Sequence, residues 1–233
     1  MILPSLPVVL SYTNMNDYKI CPKRFWHHHL KKDIPKEIKT RQQFGGTQVH
    51  EALKKRLKLR EPLLREFGHH EGICYTLENH NSIKHMELKL GVTASGQPCD
   101  FFDDRVALRG VLDLACSNDS CCLLVDWKSG KPWEDPFELR VQALLLAAHY
   151  PELTQFTGFY YWLRTGGVGK SHELDPAAAW TAVCELAEAM QTRLARMDWP
   201  ADEGPLCPWC PVPKGVGGPL DPVCQFRKDP PPK

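Results

Sequence analysis

The spacing of apolar side chains divides the chain into helices and strands of plain signature. From Ser11 to about Leu30, Tyr18, Cys21, Phe25 and Trp26 recur near helical spacing, which predicts one helix with Pro22 disturbing its interior. Gly45–Gly46 then precede Thr47, which reads as the N-cap of a helix to about Leu57. In that helix His50, Leu53 and Leu57 fall at i, i+3 and i+7, so His50 shares the apolar face. Between Ile83 and Leu90, Met86, Leu88 and Leu90 alternate with His85, Glu87 and Lys89, a strand signature.

Arg105–Cys116 and Cys121–Lys128 are two β-rich runs separated by Ser117-Asn-Asp-Ser120, a turn composition, and predict an antiparallel hairpin. Pro136–Tyr150 reads as a largely apolar, buried helix, and Phe156–Leu163 as a further strand. Asp175–Pro176 supplies an N-cap and a first-position proline for a helix to about Met197, with Trp180, Val183, Ala187, Met190 and Leu194 on one side. A Pro/Gly/Cys-rich end follows, and the chain closes on a loose tail (225–233). The alternation of helices and strands indicates an α/β fold with a mixed central sheet flanked by helices.

Composition narrows the class. With 233 residues, 42% apolar and 24% charged, the chain is neither fibrous nor disordered in character. No apolar run approaches a membrane span, and Met1–Leu10 lacks a basic leader and a cleavage site, so no membrane is expected. The expected location is the cytoplasm of a bacterial, archaeal or phage-infected cell. The ten cysteines are then better explained by metal binding or burial than by disulfides. A net charge of +1 conceals an uneven distribution: Lys19–Arg65 holds fourteen Lys and Arg against four acids. Such a block suits a polyanion partner or a set of solvated helix faces.

The hairpin carries the chemistry. Residues two apart in a strand share a face, so Asp126 and Lys128 point the same way. A turn centred between Asp119 and Ser120 sets Asp113 directly opposite Asp126, with Cβ atoms about 4.5–5.5 Å apart. Two carboxylates that close call for a cation, and Mg²⁺ is bound through one or two carboxylates plus water and substrate phosphate. An ammonium beside it, from Lys128, can orient a water and offset charge developing on phosphorus.

Gly110-Val-Leu-Asp113 followed by Asp126-Trp-Lys128-Ser-Gly130 resembles the core of the PD-(D/E)XK nuclease superfamily. Gly46-Thr-Gln-Val-His50-Glu51 and Tyr18-x-x-Cys21-Pro-x-x-Phe25 resemble its RecB-like branch, which includes RecB and AddB nuclease domains and the CRISPR adaptation nucleases. The likeness runs from about Ser11 to Cys224. It implies a single nuclease domain over 1–233, with its catalytic core at 45–165. It also implies that His50, Asp113 and Asp126, with the Trp127 carbonyl, hold Mg²⁺ or Mn²⁺, and that Lys128 is catalytic. Glu87 resembles the acid that often precedes the GxxD strand; its bland alternative is a solvated strand carboxylate. Gln142 resembles the family's Q-x-x-x-Y helix residue, which helps place the substrate and the lysine, and so joins Lys128, Asp113 and Asp126 as a catalytic candidate; Leu146 stands at the Tyr position with Tyr150 one turn beyond, and the bland reading of Gln142 and nearby Arg140 is polar positions on a mostly buried helix.

Cys207-Pro-Trp-Cys210, with Cys224 and the distant Cys21, offers four thiolates, a set that serves either zinc or an iron–sulfur cluster. The resemblance implies a structural 4Fe–4S cluster joining 11–30 to 200–224, with structural Zn²⁺ as the alternative; Cys224 lies further from Cys210 than the family's usual spacing. Cys74, Cys99, Cys116, Cys121, Cys122 and Cys184 read as small buried apolar residues, and His27–His29 as the polar face of a helix. Arg164-Thr-Gly-Gly-Val-Gly-Lys-Ser171 looks like a phosphate-binding loop, but Arg164 stands where its first glycine belongs, so it reads as a glycine-rich turn. The resulting expectation is a metal-dependent DNA exonuclease acting in repair, recombination or CRISPR DNA processing. Single-stranded DNA or single-stranded ends are the favoured substrate, and a helicase, recombinase or CRISPR adaptation protein the expected partner. Trp26, Trp127 and Trp133 are candidates to stack on bases. The alternative is a non-catalytic DNA-binding adaptor; a sequence-specific endonuclease is disfavoured because no recognition domain is evident.

Overall fold

The computed structural model describes residues 1–34, 41–132 and 135–228, with no account of the side chains at 41–45. In chain order the helices are α1 (Tyr12–Ile20), α2 (Pro22–Phe25), α3 (Arg41–Leu59), α4 (Glu71–Asn79), α5 (Phe137–His149) and α6 (Pro176–Arg196). The strands are β1 (Ile83–Thr93), β2 (Pro98–Cys99), β3 (Val106–Asn118), β4 (Cys121–Lys128), β5 (Gln155–Trp162), β6 (Gly167–Val168) and β7 (His172–Leu174). These assemble as two compact units, one of Met1–Ile38, Gly91–Arg109 and Thr181–Lys233, the other of Lys39–Leu90 and Gly110–Trp180.

The second unit is built on the sheet. Neighbouring strands follow the order β1-β3-β4-β5-β6, with β7 also pairing β5. β3 and β4 are antiparallel in the register Asn118↔Cys121 to Leu114↔Val125. β4 and β5 are parallel, Asp126 facing Tyr160 and Lys128 facing Trp162. The sheet is therefore mixed, as the sequence predicts. Asp119, in the left-handed region at φ 49°, closes the β3–β4 turn. Leu53, Leu57, Cys74, Leu77, Leu114, Val125, Trp127 and Tyr161 form this unit's core. Arg164–Ser171 contributes the short β6 and turns, a glycine-rich connection and not a phosphate loop.

Two helix boundaries differ from expectation. α3 begins at Arg41 and runs through Gly45–Gly46, so Thr47 is no N-cap. The glycine serves close approach instead: a Cβ on Gly46 would lie 2.7 Å from the Ser129 Cβ. The predicted helix over 11–30 is broken at Cys21, whose extended backbone precedes Pro22 and separates α1 from α2. α2 then passes into a π-helical turn, Trp26–Lys31. Ser11 caps α1 in a reciprocal box with Asn14, and Asp175 Oδ1 caps α6, accepting the Ala177 and Ala178 N–H groups at 2.8 and 3.1 Å.

The first unit is held by aromatic side chains. Fully buried Trp199 stacks on Trp26, their centroids 5.3 Å apart, and packs against Phe25 and Tyr18. His27 is also fully buried, its Nδ1 2.8 Å from Asp33 Oδ1, so the expected polar face is corrected: the widened turn points this histidine inward. Of the six cysteines expected inside, five are buried; Cys121 is exposed at the turn end of β4, the correction to that set. The tail lies outside the described residues beyond Lys228. Among the described residues, no helix is long and apolar enough to cross a membrane.

Candidate active site

The hairpin places its chemistry by register. Continuing the observed pairing one step past Leu114↔Val125 sets Asp113 opposite Asp126, as the sequence predicts. Asp113 Oδ2 accepts the Trp127 N–H at 2.8 Å, which ties the carboxylate to the strand across from it. Gly110 permits this packing: a Cβ there would meet Leu145 Cδ1 at 2.8 Å, so α5 lies directly over the start of the motif strand. From α3, His50 brings Nε2 to 3.1 Å from the Trp127 carbonyl and Nδ1 to 3.8 Å from Asp113 Oδ1. Four of the sequence-predicted groups, His50, Asp113, Asp126 and the Trp127 carbonyl, are thus neighbours.

Lys128 lies on the same face. Its Nζ is 2.6 Å from Asp126 Oδ2 and 2.5 Å from Glu138 Oε2, and 5.4 Å from the Tyr160 ring centroid. Buried Gln142 donates from Nε2 to Asp126 Oδ1 at 2.8 Å. Gln142 therefore touches the pair despite the missing Tyr, while Arg140 is exposed. Glu138 is a residue of the site that the sequence analysis does not single out. The available signal was spacing: Glu138 and Gln142 are four apart and share a face of α5.

Glu87 stands further out. Its Oε2 lies 2.7 Å from Lys54 Nζ, and it remains half exposed, so the structure pairs it with a lysine. Yet Glu87 sits in the left-handed region at φ 49° inside β1, a conformation costly for a side-chain-bearing residue, and its charge is felt at both His50 and Asp113. Trp127 is buried in the core and is corrected as a stacking candidate; its T-shaped partner is Tyr161. Trp133 falls outside the described residues. Several cations of the basic stretch are engaged within the chain: Arg56 with Glu71 and Glu78, Lys31 with Asp33, and Lys54 with Glu51 and Glu87.

The electrostatics favour added positive charge. Burial, and next the Asp126 charge, push the Asp113 carboxyl up to about 7, against the Trp127 N–H and Lys128. Burial and the Asp126 charge likewise push Glu138 up to about 8, with Lys128 opposing. Burial disfavours the Lys128 ammonium, but the Asp126 and Glu138 carboxylates outweigh it and hold the lysine charged. Burial lowers His50 below the usual histidine range, leaving a neutral imidazole fit to ligate. Three carboxylates around one ammonium, with a neutral histidine and a carbonyl beside them, are an oxygen-and-nitrogen donor set suited to a hard divalent cation.

The sequence profile of the PD-(D/E)XK nuclease superfamily matches residues 9–214. The chain belongs to that superfamily. Nucleic acid is accordingly the substrate class of this nuclease fold. A Eubacterium rectale protein solved at 2.19 Å and named "Putative exonuclease" is similar over 91% of each chain, at 12% identity and a TM-score of 0.54, a likeness of fold. The structure of SSO0001 is similar over 90% of this chain and 85% of its own, at 15% identity and a TM-score of 0.41. Among curated proteins, none matches this nuclease chain in sequence.

In the first unit, the cysteine region draws its four candidates toward one place. Cys21 Sγ accepts the Asp202 N–H at 3.4 Å and Cys207 Sγ the Gly204 N–H at 3.3 Å. Such N–H···S bonds suit thiolate ligands, whose charge they offset. Cys210 packs beside Cys224. Burial raises the Cys210 thiol, and the Cys21 and Cys224 sulfurs add to that rise. Cys224 is fixed by its N–H to the Pro213 carbonyl at 2.7 Å.

Proposed function

We propose that this nuclease is a Mg²⁺- or Mn²⁺-dependent DNA exonuclease of the RecB-like type, carrying a structural 4Fe–4S cluster on Cys21, Cys207, Cys210 and Cys224. The observation that carries the catalytic reading is the hairpin register, which opposes Asp113 to Asp126 and aligns Lys128 beside them. His50, Asp113, Asp126 and the Trp127 carbonyl would hold the cation. Bound there, it would polarise a phosphoryl oxygen and acidify a coordinated water. Lys128 supplies a fixed positive charge against the charge developing on phosphorus. Gln142 locks the rotamer of Asp126, and Glu138 steadies Lys128. The cluster reading is supported by the N–H···S bonds at Cys21 and Cys207.

The test is a time course on end-labelled single- and double-stranded DNA, comparing anaerobically purified wild type with Asp126→Ala in Mg²⁺, Mn²⁺ and EDTA. Metal-dependent shortening from one end, abolished in the variant, is expected. Absence of cleavage by a folded, DNA-binding protein overturns the enzyme reading in favour of the adaptor. Iron and sulfide analysis of the same sample is expected to give four of each per chain; one zinc and no iron overturns the cluster.

A further inference from the structure

Away from the hairpin, the first unit holds a second convergence of donor atoms. Asp17 Oδ2 lies 2.6 Å from His29 Nε2 and 3.2 Å from His28 Nδ1. Among the described residues, these three alone bring ligand atoms within 4.8 Å of one another. Asp17 is only 5% exposed, and its other oxygen, Oδ1, is 3.0 Å from Arg24 Nε. One carboxylate oxygen is therefore held by the guanidinium while the other faces two imidazoles.

The backbone explains how adjacent histidines reach one oxygen. In an α-helix neighbouring side chains diverge by 100°. His28 and His29 lie in the π-helical turn Trp26–Lys31, where the wider i→i+5 winding reduces this to about 80°. Their rings accordingly lie with centroids 4.6 Å apart. Such turns are costly and recur at functional sites. Both histidine side chains also keep some exposure, 24% and 18%, so solvent or a further ligand reaches the site.

We propose that Asp17, His28 and His29 bind one borderline divalent cation of the Zn²⁺ or Fe²⁺ class, at a site separate from the hairpin carboxylates and from the four cysteines. Two imidazoles and one carboxylate select such ions over Mg²⁺, which prefers all-oxygen ligands. With metal–ligand distances of about 2.0–2.2 Å, donor atoms lie about 3.3 Å apart. The His28 contact already meets this, and the His29 contact must open by about 0.7 Å. The nitrogens that would ligate, Nδ1 of His28 and Nε2 of His29, are those that donate to Asp17 here, so binding the cation displaces the protons of these two hydrogen bonds. The Arg24 guanidinium, paired with the other carboxylate oxygen at 3.0 Å, keeps Asp17 charged beside the imidazoles.

Cobalt is the probe, because its visible spectrum separates nitrogen and oxygen ligands from thiolates. Tag-free full-length wild type, Asp126→Ala, His29→Gln and His28→Ala/His29→Ala are titrated with Co²⁺ and then back-titrated with Zn²⁺ or Mg²⁺. Wild type is expected to take up one Co²⁺ more than Asp126→Ala, at the hairpin, and both are expected to share one further equivalent with ligand-field bands and no thiolate charge transfer, displaced by Zn²⁺ and not by Mg²⁺. The double variant is expected to lose that equivalent. His29→Gln, which retains a hydrogen-bond donor for Asp17, is expected to fold and to bind at least tenfold more weakly; it carries the test if the double variant does not fold. Undiminished uptake of that equivalent in His29→Gln, its loss in Asp126→Ala, or bands of thiolate origin alone overturn the proposal. Loss of DNA cleavage with cobalt uptake intact bears on the nuclease reading and leaves this site standing.

Discussion

Glu138 Oε2 lies 2.5 Å from Lys128 Nζ, and one turn along the same helix Gln142 Nε2 reaches Asp126 Oδ1 at 2.8 Å. A single face of α5 thus grips both members of the Asp126–Lys128 pair. The strand aims these side chains, and the helix fixes where their charged ends come to rest.

Replacing Glu138 with Gln is expected to lower cleavage about 10²-fold while the fold survives, since loss of positioning of this kind costs about that much. The accompanying sign is specific. Glu138 helps hold Lys128 charged to high pH, so its removal is expected to shift the alkaline limb of the pH–rate profile downward. An unshifted profile with unchanged rate would show that Glu138 plays no part.

Asp113 predicts a pH dependence of stability. Its carboxyl titrates near 3.8 when unfolded and is raised to about 7 in the fold, so the folded state binds the proton more tightly. Without divalent cation, its contribution is greatest at low pH and is lost as pH rises through about 7. Asp113→Asn, a permanent mimic of the neutral form, is therefore expected to gain on wild type in urea melts between pH 5 and 8. Mn²⁺ is expected to restore wild type at pH 8 and leave the variant unaffected.

Gly46→Ala should improve helix propensity by about 1 kcal/mol. The clash with Ser129 is expected to win, with a net loss of about 1–3 kcal/mol and reduced cleavage, because His50 lies one turn further along α3. Gly46→Ala/Ser129→Gly is expected to recover most of both, as read by thermal melts and by rates.

Trp199→Ala is expected to cost about 3–5 kcal/mol in urea denaturation, because the indole is fully buried against Phe25, Trp26 and Tyr18. Iron content is expected to fall with it, since Cys21 lies between those aromatics in the chain.

The hairpin was legible because a two-residue turn and a period-two pattern leave one register, and every step from Asn118↔Cys121 inward obeys it. The Asp113, Asp126 and Lys128 cluster followed from that arithmetic. Contacts set by tertiary approach were not legible. Gly45–Gly46 looked like a helix breaker because the sequence does not show Ser129 pressing on α3. α4 went unread because it is only nine residues long, and Ile73, Cys74 and Leu77 supply one short apolar patch with no repeat beyond it. The π-helical turn was invisible because nothing in His27-His-His29 distinguishes a widened helix from a regular one.

Trp199 and Asp202 meet Phe25, Trp26 and Cys21 within one unit, although roughly 180 residues of chain separate them. A ribosome adding about 5–20 residues per second needs about 10–40 s to cover that interval. Throughout it, the emerging N-terminal segment lacks the indole and thiols against which it packs. Maturation of this unit therefore waits until Trp199 and the later cysteines have been made, and a nascent chain stalled before Trp199 presents bare aromatic surface to the chaperones that meet it.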